Sequence, residues 1–151
     1  MVLENYIAYF KDLKTESINK KELNIYNAYI NLFTDLKLRI LSTEDLALIE
    51  NKIELLDLAD TTSRKDLNKK LQKLLKFLET NFGLIPEKHY ETSYMGIGMC
   101  FGMLANLVFG IVSLVIGLVI GMCIGLFIGS QKDKKAKEDG LVLDYKSPYS
   151  F

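Results

Sequence analysis

Two cysteines, one histidine and two isolated polar residues are the candidates for chemistry beyond an ordinary charged surface. A cysteine nucleophile needs a lowered pKa or an adjacent base. Cys100 and Cys123 both lie in a stretch that holds no Asp, Glu, His, Lys or Arg. They therefore read as small apolar fillers, and an intracellular context makes a disulfide framework unexpected. His89 stands beside Glu87, Lys88 and Glu91. A general acid or base needs a positioned partner and a pocket, so this histidine reads as a solvated side chain in a linker. Asn106 and Ser113 are the clearly polar residues between Tyr94 and Gly129, and they read as turn formers or as the polar lining of a pore. There is no metal-ligand spacing, no glycine-rich phosphate loop and no nucleophile motif. The expectation is a non-enzyme with no catalytic residue, no metal and no cofactor; an intramembrane hydrolase would need ionisable groups that the apolar stretch lacks.

The elements around these residues are set by an uneven distribution of charge. The chain has 151 residues with 19 basic and 19 acidic side chains, a net charge of zero. Residues 1–91 carry 14 Lys/Arg and 15 Asp/Glu, residues 92–131 carry none, and the charges resume at Lys132. A balanced chain without a basic stripe argues against a nucleic-acid partner. The opening residues, Met1 to Tyr6, have neither a basic n-region nor an apolar h-region, so the first ninety residues are expected in the cytosol.

Residues 1–85 read as four amphipathic helices with short connections, an antiparallel helical bundle in an all-α fold. The first places Leu3, Tyr6, Ile7, Phe10 and Leu13 on one face. After a break at Thr15 to Asn19, with Ser17 as the expected cap, the second runs to about Leu41 with Tyr26, Tyr29, Ile30, Phe33, Leu36 and Ile40 on its stripe. Ser42 and the acids after it begin a third, built on Leu46, Ile49, Ile53 and Leu56. Ser63 with Asp66 predicts the start of a fourth, which carries Leu67, Leu71, Leu74, Leu78 and Phe82. Gly83 is a natural stop, and Pro86 opens a linker over residues 86–93.

From Tyr94 to Gly129 the chain is apolar and rich in glycine. One bilayer crossing needs about 20 residues; the stretch is too long for one ordinary span and slightly short for two. An internal repeat favours two. Gly96–Leu104 matches Val119–Phe127, with the shared unit Ile-Gly-Met-Cys-x-Gly. This predicts a transmembrane hairpin over residues 94–130, with arms near 92–107 and 110–130 and a turn around Asn106 to Gly110. Lys132, Lys134, Lys135 and Lys137 place the exit, residues 131–151, on the cytosolic side by the positive-inside rule. Both termini are then cytosolic, at the inner (cytoplasmic) membrane. The alternative is one continuous helix, because the small and polar residues recur mostly every fourth position from Gly98 to Gly129. The tail after Gly140 is too short to fold alone; it is disordered or docks on the bundle.

Gly98 and Gly102, and Gly117, Gly121, Gly125 and Gly129, form rows at a spacing of four. Such a row leaves a groove in which two helix backbones approach closely. It marks helix packing without stating whether the partner helix lies in the same chain. Tyr94-Met95-Gly96, the two Ile-Gly-Met-Cys-x-Gly units and the exit from Ile128 to Gly140 together resemble bacterial glycine-zipper membrane proteins. The resemblance covers residues 94–140. It implies membrane insertion and homo-oligomerisation, and in some members pores. Two functional expectations follow. One is a self-associating, pore-forming or membrane-perturbing effector controlled by its cytosolic bundle. That effector is the leading reading, and the alternative is a membrane-anchored adaptor whose bundle binds a cytosolic protein partner. In both, the lipid bilayer is a partner.

Overall fold

The computed structural model describes residues 2–60, 63–104 and 112–145, except for the side chains of 112–114. Among these residues the fold is all-α: six helices and two strands of two residues each. In chain order they are α1 (Val2–Glu16), α2 (Lys20–Leu38), α3 (Thr43–Leu55), α4 (Arg64–Phe82), β1 (Ile85–Pro86), α5 (His89–Leu104), α6 (Val112–Glu138) and β2 (Val142–Leu143). The chain divides into two compact units, Met1–Pro86 with Leu143–Phe151, and Glu87–Val142.

In the first unit α1 packs along α2, α2 rests on α4, and α3 touches both α1 and α4. The helices start where side chains can satisfy orphan backbone donors. Ser42 Oγ accepts from the Asp45 N–H at 3.1 Å, and Asn19 Oδ1 accepts from the Lys21 N–H at 3.1 Å. The cap of α2 is thus Asn19 rather than Ser17, whose hydroxyl donates to Glu22 Oε2 at 2.8 Å. Ser63 occupies the N-cap of α4 without a side-chain capping bond. Gly83 ends α4 in the left-handed region at φ 66°, where a Cβ would be strained.

The core is made of Leu3 and Phe10 of α1, then Ile25, Ala28, Tyr29, Leu32, Phe33 and Leu36 of α2. It continues through Ile49 and Ile53 of α3 and the leucines of α4. Its centre is aromatic: Phe10 stacks on Tyr29 with centroids 4.5 Å apart and planes 5° apart. The Tyr29 hydroxyl, buried with its ring, donates to the Leu67 carbonyl at 2.8 Å. Relative to the periodic reading, the buried stripe of α2 is rotated toward Ile25, Ala28 and Leu32, and Tyr26 and Ile30 are half-buried. Ile40 is fully exposed, because α2 ends at Leu38 and not near Leu41.

The tail does not stand apart from the first unit. Leu143 and Tyr145 are 1% and 4% exposed, and β2 pairs with β1. The chain leaves this unit at Pro86 and returns to it at Leu143.

Candidate functional site

The second unit is a pair of helices. α5 starts at His89, inside the stretch read as a linker, and α6 continues past the apolar region to Glu138. Gly140, at φ 71°, then closes α6: the Leu141 N–H reaches the Ala136 carbonyl at 2.9 Å and the Gly140 N–H reaches that of Lys137 at 3.2 Å. These are the two bonds of a Schellman stop.

The six glycines singled out in the sequence come together on the faces where α5 and α6 meet. A methyl group on Gly98 would overlap the Gly121 carbonyl, with the carbonyl carbon at 2.8 Å; one on Gly102 would lie 2.6 Å from the Gly117 carbonyl carbon. Gly125 meets the backbone of Tyr94 in the same way, and Gly129 that of Tyr90 and Glu91. Each step of four forward on α6 is matched by a step of about four back on α5, so the helices run antiparallel in a single register. Carbonyl oxygens face the glycine α-hydrogens, the weak Cα–H···O arrangement of close helix contacts. Glycine is required at these positions because the other helix's backbone fills the space of a Cβ. Gly96, which lies off this face, has nothing within 4 Å of its missing Cβ.

At the charged end the register is held by polar groups. Asp133 of α6 accepts the backbone N–H of Tyr90 at 3.0 Å and that of Glu91 at 2.7 Å. These are orphan donors of the first turn of α5, and a carboxylate suits the positive end of that helix. The cap of α5 is therefore supplied by the opposite helix. Lys132 Nζ lies 4.9 Å from the Tyr94 ring centroid and 5.5 Å from that of Tyr90, within cation–π range. The His89 ring meets Tyr90 edge-on at 5.3 Å. Sequence reading missed Asp133, Tyr90, Tyr94 and Lys132 as a group. The available signal was an acid embedded in a lysine-rich helix end, which pattern alone assigns to a solvated face.

The outer surface of the pair is apolar. Ile97, Phe101, Leu104, Val115, Ile116, Val119, Ile120, Ile124, Phe127 and Ile128 are all exposed there. Cys100 and Cys123 are exposed free thiols. One helix segment, Val115–Glu138, is long and apolar enough to cross a membrane; its most apolar window has a mean hydropathy of 1.7 and is only 11% buried. The core helix of a soluble protein would be mostly covered. Residues 112–131 of α6 are uncharged and extend about 30 Å at 1.5 Å per residue, the thickness of a hydrocarbon core. The expected turn, Asn106 included, and the Ser113 side chain lie outside the described residues.

No family model, curated protein or solved structure matches this chain.

Proposed function

We propose that this is a membrane-anchored helical protein: α5 and α6 form a transmembrane hairpin, and the four-helix bundle acts from the cytosol as an adaptor for a protein partner. The observation that carries this reading is the use of the glycine rows. Gly98, Gly102, Gly117, Gly121, Gly125 and Gly129 meet backbone of the paired helix in the same chain. The hairpin therefore closes on itself and turns large aliphatic and aromatic side chains outward, as a lipid-facing anchor requires. Both ends of the hairpin belong on the cytosolic side, with Lys132, Lys134, Lys135 and Lys137 as the retaining charges. The test is replacement of residues 94–129 by an unrelated two-helix anchor. Retained cellular function supports an adaptor; loss of function with membrane localisation intact removes this reading.

A second reading keeps the self-associating, pore-forming effector that the glycine-zipper resemblance implies. It is favoured by an outward groove of about 510 Å3 along α5, lined by Thr92, Ser93, Gly96, Ile97, Cys100, Phe101 and Leu104. Its small residues leave room for a helix of another copy, so homo-oligomers would meet on this face and not on the glycine rows. Dye release from liposomes by the inserted protein, with a ring of several copies in mild detergent, would favour this reading over the anchor.

A further inference from the structure

The first unit holds a cleft that its packing does not use. Its position is fixed by α1 and α3: the Val2 N–H at the start of α1 donates to Glu50 Oε1 of α3 at 3.0 Å. Beside this contact lies a space of about 320 Å3, lined by Val2, Asn5, Tyr6, Tyr9, Glu54 and Ala59. Two of its walls are aromatic rings that the core holds in place. The Tyr9 hydroxyl donates to the Ala59 carbonyl at 3.1 Å, and its ring meets Phe10 edge-on at 5.4 Å. The Tyr6 ring lies 6.3 Å from Phe33.

Among the described residues of the lining, Glu54 is the charged one, and none is Lys, Arg or His. We propose that this cleft binds an organic ammonium ion, with the Tyr6 and Tyr9 rings against its alkyl groups and Glu54 opposing its charge. Aromatic faces attract cations through the ring quadrupole, at exposed sites as well as at buried ones. A compact metal cation would need a shell of six or more oxygen ligands, whereas this lining offers one carboxylate between carbon-rich walls. The surroundings agree in sign: burial first, then the charges of Asp57 and Glu54, hold the Tyr6 phenol above its ordinary pKa. The same negative field disfavours an anion. The ammonium can be quaternary, as in a choline-like small molecule, or primary, as at the tip of a lysine side chain. The proposal concerns the first unit alone and stands apart from the membrane reading.

The test uses the full chain in non-ionic micelles. Tetramethylammonium chloride and n-butylammonium chloride are titrated separately at constant ionic strength, with sodium chloride as reference, and backbone amide shifts are followed. Saturable shifts at Asn5, Tyr6, Tyr9 and Glu54 are expected, absent with sodium. Saturation by tetramethylammonium alone assigns a quaternary ligand, and saturation by n-butylammonium alone a lysine-like one. Glu54→Gln is expected to weaken binding at least fivefold, and Tyr6→Leu comparably. Glu54 is exposed, so its variant folds. Shifts that fail to saturate with either ion, or affinity unchanged in Glu54→Gln, would overturn the proposal.

Discussion

Gly98 and Gly121 hold the same place in the two copies of Ile-Gly-Met-Cys-x-Gly, and they face each other across the helix pair. The repeat and the antiparallel register thus share one local two-fold relation. Exchanging the copies turns the Gly102–Gly117 contact into the contact of Gly125 with Tyr94. Gly121→Ala puts a methyl group into the Gly98 carbonyl, and overpacking of this kind costs about 1–3 kcal/mol. Gly96→Ala meets open space and gains up to about 1 kcal/mol of helix propensity. Denaturation of the two variants in micelles, followed by circular dichroism, should separate them in opposite directions. Equal shifts would show that the close faces do not hold the pair.

Asp133→Ala removes the acceptor for the Tyr90 and Glu91 N–H groups. Loss of a helix cap costs about 0.5–2 kcal/mol. Amide exchange at these two residues should accelerate while exchange at Gly121 stays slow. Asp133→Asn keeps one acceptor oxygen and should lie between the two. A uniform acceleration along α5 would mean that Asp133 secures the whole pair and not only its charged end.

Alkaline pH should destabilise the first unit through Tyr29. Burial holds its phenol far above the ordinary tyrosine pKa, with the Tyr145 phenol adding to the shift. Below about pH 10 the phenol is protonated in both folded and unfolded states, so this group adds no pH dependence. Above about pH 10 the unfolded phenol loses its proton and the folded one does not; stability then falls by up to about 1.4 kcal/mol per pH unit. Tyr29→Phe should cost about 1 kcal/mol at pH 8 through the lost hydrogen bond to Leu67, and should flatten that decline. Urea midpoints at pH 8, 10 and 11 measure both effects; parallel slopes in the two proteins would count against Tyr29 as the source.

Removal of residues 143–151 should weaken the first unit, although the segment is short and terminal. Leu143 and Tyr145 are buried, and burying a large apolar side chain is worth about 1.5–3 kcal/mol. The truncated chain should unfold at lower urea and expose Ile85 to proteolysis. An unchanged midpoint would show that these two residues add little to the core.

The helical character and the glycine face were legible in the sequence because both rest on short periods. Spacings of three and four mark Phe10, Ile49, Ile53, Leu71 and Leu78 as core, and a spacing of four marks the glycine rows. What escaped depends on neighbours distant in sequence. Ile40 extends the stripe of α2 in pattern, yet the helix ends at Leu38 and leaves it exposed. Ser17 and Asn19 are both good caps, and local geometry selected Asn19. Asp133 lies 42 residues from Glu91, and nothing in the composition of either segment pairs them. The burial of Leu143 and Tyr145 was unreadable for the same reason: a short apolar tail carries no signal of where it lands.

The return of the chain at Leu143 sets an order in time. A ribosome makes a chain from its N-terminus at about 5–20 residues per second. When Pro86 has been added, four helices of the first unit exist, but Leu143 and Tyr145, which belong to its core, do not. The segment between them, α5 and α6 entire, is synthesised first and takes several seconds. During that interval the nascent first unit lacks two of its buried side chains. The helix pair is thus synthesised before the domain that precedes it can finish folding.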